Sequence, residues 1–348
     1  MKIIHCADIH LGSKMERNLT KLQAKERKNE IYNNFVRLIE YADANNINHI
    51  IIAGYLFDTE KGNVRLIKDT ILLFSKNSNI SFYYLRGNHD EAVLSGYELP
   101  SNVYTFTDDF KYYDVENVRI GGKEVVNSKD VYFKDDKFNI LVLHGNVVNG
   151  KPINEEDLNL KDFREKNINY LALGHIHMRK DYQVDENFAA SYCGCLEGRG
   201  FDECGEKGFY VLDIKENNLK QTFVPFYKRM CHEVIVDITG AKIYTDIVLK
   251  IKENSKDVRN VDLVKVILTG EYEIDLNKNL DAVKEKLESN YYFIKIEDQS
   301  KLRLDYNDYI NDVSLLGEFV RTVIKDDTIE NKDEVLTYGI KALRNEEI

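Results

Sequence analysis

Residues 81–90 read SFYYLRGNHD. A short run of aromatic and aliphatic side chains passes directly into a turn carrying Gly87, Asn88, His89 and Asp90. Apolar on both faces and closed by a glycine turn, such a run predicts a strand buried on both sides that displays polar groups at its C-terminal end. Outward from it, the same punctuation recurs in KIIHCADIHLG (2–12), HIIIAGYLFD (49–58), NILVLHG (139–145) and YLALGHIH (170–177). Between these runs, 21–44 and 64–76 have helical spacing, with Ile31, Phe35, Leu38 and Ile39 as one stripe. The alternation predicts an α/β layered fold whose loops gather on one rim, where such folds place their ligands.

That rim holds most of the chemically interesting residues. They fall in Asp8-Ile9-His10, Gly54-Tyr55-Leu56-Phe57-Asp58, Gly87-Asn88-His89-Asp90, His144-Gly145 and Gly174-His175-Ile176-His177. Asp, His and Asn supply hard oxygen and borderline nitrogen donors, a set suited to Mn, Fe or Zn and not to a thiolate-rich structural zinc site. Any one of these motifs arises by chance in many proteins, whereas all of them in order after buried strands do not. Five of the eight histidines lie in these segments; His5, His49 and His232 read as structural.

These motifs resemble the calcineurin-like metallophosphoesterases and, within them, the SbcD- and YhaO-like DNA-repair exonucleases. The likeness is strongest in DIHLGS (8–13), RGNHDE (86–91) and GHIH (174–177), and includes EGRGFDE (197–203) leading to GEKGF (205–209). It implies a four-layer α-β-β-α sandwich with a small α/β capping domain and C-terminal helices. A change of pattern past Pro225 sets the expected parts at 1–227 for the nuclease domain, 228–300 for the cap and 301–348 for the helical segment. By position, the resemblance implies two divalent metals, Mn first with Fe or Zn as alternatives. Asp8, His10 and His177 would hold the first and Asn88, His144 and His175 the second, with His89 as the catalytic histidine. The implied reaction is hydrolysis of a phosphodiester clamped by both ions. The implied partners are DNA and an SbcC-like ATPase docked on the C-terminal helices, and a homodimer is compatible with the family.

One position departs from that pattern. The family's second motif carries an aspartate that bridges the metals, and here the position is Tyr55. Three readings stand open: a disabled second metal site in an enfeebled or silent member, replacement of the bridge by Asp58 or a Tyr55 phenolate, and an altered residue in an otherwise active enzyme. The expected consequence of the first is low occupancy of the second site. The function that the resemblance implies is therefore a metal-dependent phosphodiester hydrolase, a DNA-repair exonuclease of SbcD and YhaO type whose activity hangs on Tyr55, with a small-molecule phosphodiesterase or a non-catalytic DNA-end or ATPase-binding subunit as rivals.

Composition adds bounds. Among 348 residues, 43% are hydrophobic, ample for a core, and no run approaches the roughly 20 apolar residues of a membrane span. Five cysteines without a CxxC pair suggest a reduced, cytoplasmic protein. A formal charge of -11 argues weakly against nucleic acid, though bound cations would supply part of the positive field. The local basic clusters, Arg17 to Lys28, Arg179-Lys180 and Lys228-Arg229, read as solvated faces and loops.

Overall fold

The computed structural model describes residues 1–15, 19–58, 63–87, 93–94, 96–273, 276–303 and 311–343. The chain divides into two compact units, Met1–Cys231 and His232–Ile348. In chain order the strands of the first are β1 (Lys2–Cys6), β2 (His49–Ala53), β3 (Ser81–Leu85), β4 (Val103–Thr105), β5 (Lys111–Val115), β6 (Val118–Gly122), β7 (Phe138–His144), β8 (Asn146–Val147), β9 (Asp157–Leu158), β10 (Tyr170–Gly174), β11 (Lys180–Gln183), β12 (Ala189–Tyr192), β13 (Gly208–Lys215) and β14 (Asn218–Pro225). Helices α1 (Lys21–Ala44) and α2 (Val64–Lys76) separate the first three strands. Thr20 and Gln23 cap α1 reciprocally, and the Asn63 side chain accepts from the first free amides of α2.

Two six-stranded sheets result, ordered β14-β13-β1-β2-β3-β4 and β11-β12-β10-β7-β6-β5. Strands β1 to β4 run parallel, as do β6, β7, β10 and β12. The two-residue side-chain period sorts each central strand. Ile50 and Ile52 of β2 pack with Phe35, Leu38 and Ile67 under α1 and α2, while Ile51 and Ala53 join Ile140, Val142, Tyr170 and Ala172 between the sheets. The outer face of the second sheet, with Leu141, Leu143, Leu171 and Leu173, is covered by Val131, Phe133 and Phe163, the last on a short 3-10 turn (Leu160–Phe163). The chain thus forms the mixed α/β sandwich expected, its fourth layer being thin.

In the second unit, β15 (Cys231–Asp237), β16 (Leu263–Thr269) and β18 (Phe293–Asp298) make a three-stranded sheet with helices α3 (Tyr244–Asn254) and α4 (Leu280–Leu287), while β17 (Glu271–Tyr272) pairs with β19 (Lys301–Leu302). Val236, Ile247, Ile251, Val266, Val283 and Leu287 are among its core residues. Helices α5 (Leu315–Lys325) and α6 (Lys332–Leu343) bury Val320, Val323, Leu336 and Ile340 against one another, while Leu315 is exposed. No helix among the described residues is long and apolar enough to cross a membrane.

Candidate metal centre

Parallel strands carry their C-terminal ends to one rim, and the site lies there. Asp8 and His10 follow β1, Tyr55 follows β2, His144 closes β7, and His175 and His177 follow β10. The backbone is left-handed at Asp8, His10, Tyr55 and His175, at φ 51°, 53°, 43° and 103°. Non-glycine residues held this way cost on the order of 1–3 kcal/mol each, so the surroundings must impose the shape. They do so through hydrogen bonds between the two turns: His10 N–H donates to the Tyr55 carbonyl at 2.8 Å and Asp8 N–H to that of Gly54 at 3.2 Å. Gly54 itself has φ +91°, and a Cβ there would lie 2.0 Å from His144 Nδ1. Its lack of a side chain is what lets the β7 imidazole approach β2.

Among the described residues, Asp8, His10 and His177 form one group of potential ligands whose donor atoms all lie within 4.8 Å of one another. His10 Nε2 and His177 Nε2 face each other at 3.0 Å. The Glu203 carboxylate, 2.7 Å from His177 Nδ1, holds the proton on that nitrogen and turns the Nε2 lone pair toward His10. Two nitrogens 3.0 Å apart match neighbouring ligands of an octahedral ion with bonds of about 2.1 Å. Both Asp8 oxygens accept from the His175 amide at 3.1 Å, which fixes the carboxylate. The three residues therefore fit a divalent cation.

Behind them stands a layer that the sequence did not identify as functional. Arg199 donates to Glu203 through Nε and Nη2 at 3.1 and 2.8 Å and to Asp58 through Nη1 at 3.0 Å. Buried Lys207 donates to the His177 carbonyl at 2.9 Å. Although burial alone would raise it, hydrogen bonds from His177 and Arg199 hold Glu203 well below the usual carboxylate range. The loop bearing Arg199 is anchored in turn by Glu197. That carboxylate accepts from Arg27 Nη1 at 2.9 Å and from the Lys228 and Arg229 amides at 2.7 and 3.1 Å. Arg27 and Arg229, expected on solvated surfaces, are instead buried and share Glu30. Only the run EGRGFDE signalled this layer, because partners 170 residues apart leave no local periodicity. Replacing Glu203 by Gln removes the charge that orients His177, and Mn²⁺ affinity by titration calorimetry is expected to fall by about 10–100-fold. Unchanged affinity would remove Glu203 from this role.

The rest of the implied set is arranged differently. His144 Nδ1 lies 3.0 Å from the Ala53 carbonyl, and His175 Nε2 lies 3.8 Å from Glu156. The ring of Tyr55 sits 4.1 Å from that of His144, 5.0 Å from His10 and 6.2 Å from His175. Asp58 is paired with Arg199 and lies 3.8 Å from His10 Nδ1. Asn88 and His89 lie outside the described residues. Of the histidines read as structural, His5 bonds Tyr170 Oη at 2.9 Å, His49 lies 3.4 Å from Tyr83 Oη, and His232 bonds Asp262 at 3.0 Å. None of the five cysteines forms a disulfide.

Burial raises the Asp8 carboxyl to about 7 and lowers His10 to about 2. His10 is therefore neutral near physiological pH, and a cation must displace a proton from Asp8 below about pH 7. Without a cation, the raised folded-state value stabilises the fold at low pH. That contribution is lost as pH rises from the ordinary carboxylate range through about 7. A cation rewards the ionised form, so its stabilising effect grows over the same window. The rise in Tm caused by MnCl2 is expected to be larger at pH 8 than at pH 6; an equal or smaller rise at pH 8 would contradict the assignment of Asp8.

The family described as Calcineurin-like phosphoesterase matches residues 1–179. The chain is similar to the "Uncharacterized metallophosphoesterase YhaO" of Bacillus subtilis, at 24% identity over 302 residues, 78% of this chain and 72% of that one. The "DNA double-strand break repair protein Mre11" of Methanococcus maripaludis is 26% identical over 381 aligned positions, covering 97% of this chain and 98% of the other. A subunit of the nuclease SbcCD from Staphylococcus epidermidis is 27% identical over 271 residues, 65% of this chain and 69% of its own length.

Proposed function

Because the chain belongs to the calcineurin-like phosphoesterases, we propose that it is a metal-dependent phosphodiester hydrolase acting on DNA, of the SbcD and YhaO type. The observation that carries this reading is the convergence of Asp8, His10 and His177 within 4.8 Å on the rim. A divalent ion there, which we take to be Mn²⁺, supplies Lewis acidity toward a phosphoryl oxygen and acidifies water. The chain's own contribution is positional. Asp8 provides the negative charge, Glu203 fixes the His177 tautomer, and Arg199 keeps Glu203 and Asp58 neutralised in place. His89 is assigned proton donation to the leaving sugar oxygen. DNA as substrate is supported by the names of two relatives, a double-strand break repair protein and a nuclease component. Because the latter is one subunit among others, it also supports a partner, which we assign as an ATPase docking on α5 and α6; we further propose that two chains pair.

One feature favours a smaller substrate. A cleft of about 1130 Å³ reaches Gly87 and Glu156 beside the site, and its walls include Asp108, Glu124, Glu155 and Glu156 against Arg86 and Lys129. That wall repels a polyanion. The test offers linear duplex DNA, bis(4-nitrophenyl) phosphate and a 5′-mononucleotide to the chain with MnCl2, and to His89→Ala as control. Nucleotide release from DNA, lost in the control, is expected. Cleavage of the small diester alone would favour the smaller substrate. No cleavage of any of the three would leave a binding subunit and sink the proposal.

A further inference from the structure

The geometry points to a mononuclear centre: this chain holds one cation on Asp8, His10 and His177, and the ring of Tyr55 fills the place of the second. The family implies two metals, and the first set of ligands fits one. The described part of the second set, His144 and His175, does not, for three reasons.

Space is the first. The Tyr55 ring stands between imidazoles of both sheets, 4.1 Å from His144, 5.0 Å from His10 and 6.2 Å from His175, and Tyr55 is only 7% exposed. Protein interiors pack densely, so a ring there leaves little room for an ion and its water. The ring is also confined from the side. A Cβ at Gly87 would lie 2.5 Å from Tyr55 Cδ1, and the Tyr55 carbonyl is held by the His10 amide at 2.8 Å. Moving the ring aside therefore means disturbing the rim that builds the first site.

Charge is the second. A dication taken out of water needs compensating negative ligands. Asp8 supplies that charge to the first position, and at the second the carboxylate expected of the family is replaced by a phenol, which carries no charge while it holds its proton and whose ring stands where the carboxylate would lie. Asp58 does not stand in, because Arg199 Nη1 holds it at 3.0 Å. The third reason is the ligands themselves. Among the described residues, neither His144 nor His175 joins a group of three His, Cys, Asp or Glu with converging ligand atoms. One change of residue thus does two things at once, removing a ligand and occupying its space.

This deepens the hydrolase reading and rests on it for the position of the first ion. The test reads metal and not turnover. The full chain is loaded with MnCl2, passed through a desalting column and analysed for Mn per chain, with the Mn²⁺ electron paramagnetic resonance spectrum recorded on the same sample. One ion per chain with an uncoupled six-line spectrum is expected. Two ions with an exchange-coupled spectrum would overturn the inference whatever the variants do. Tyr55→Asp is expected to take up the second ion and show coupling; a folded Tyr55→Asp that stays at one ion would overturn the role given to the ring. Asp8→Asn is expected to retain none, and retention would overturn the position. A chain that holds one ion and cleaves nothing leaves this inference intact while the hydrolase reading falls; a chain that holds two and cleaves DNA does the reverse.

Discussion

Tyr55→Asp is expected to raise Mn²⁺-dependent hydrolysis of linear DNA by on the order of 10²-fold, since a second ion contributes several kcal/mol of charge stabilisation to an in-line displacement. The substitution removes a ring now packed 4.1 Å from His144 and places a carboxylate among His10, His144 and His175. Nothing else need move. Asp8 and His10 are already aligned by hydrogen bonds to the backbone carbonyls of Gly54 and Tyr55, and these bonds do not involve the side chain. Aspartate also tolerates a left-handed backbone better than tyrosine, so the φ of 43° is no obstacle. The measurement is the initial rate of nucleotide release at saturating MnCl2, taken with far-ultraviolet circular dichroism to show that both proteins are folded. A folded variant no faster than the parent would mean that the missing carboxylate is not what limits this chain.

Arg27→Met should destabilise the first unit by about 3–5 kcal/mol, the loss typical when one partner of a buried ion pair is removed. Arg27 is fully buried on α1, where Nη1 bridges Glu30 and Glu197 at 2.5 and 2.9 Å and Nη2 donates to the Gly198 carbonyl at 2.6 Å. Methionine fills the space of the aliphatic stem and leaves Glu197 buried without its guanidinium. The readout is a fall in the urea midpoint at unchanged slope. Adding Glu197→Gln removes the stranded charge, and the double variant is expected to lose less than the two single losses added together. The effect also reaches the metal. Glu197 and Gly198 carry the loop of Arg199, so Mn²⁺ affinity is expected to fall with stability. A loss below about 1 kcal/mol would mean that the network is solvated after all.

What could be read in the sequence followed from how local each interaction is. The buried strands 49–53, 81–85 and 170–173 and the helices 21–44 and 64–76 stand where the apolar runs and the helical stripe place them, because a strand buried on both faces has a composition of its own. The convergence of Asp8, His10 and His177 was legible for a related reason: each follows such a run, and a parallel sheet brings its strand ends to one rim. The supporting charges were not. Arg27 and Glu197 meet across 170 residues, and a charged letter within a helix reads as solvent-facing until its partner is in view. Glu203 lies 26 residues beyond the histidine it orients, within a run whose chemistry shows only when the loop is folded. Tyr55 stood out as the wrong residue for a bridge. Where its ring goes depends on Gly87 from the next strand and His144 from the other sheet, and no single stretch of sequence contains all three.

The proposed function stands on a cation at Asp8, His10 and His177 that drives phosphodiester hydrolysis. Its most direct test is the release of nucleotides from linear duplex DNA, with and without MnCl2, by the chain and by Asp8→Asn. Release by the parent is predicted only with Mn²⁺, and none by the folded variant, whose Tm also no longer responds to the ion. Release that is independent of metal, or a variant that keeps both the Mn²⁺ response and the hydrolysis, would contradict it.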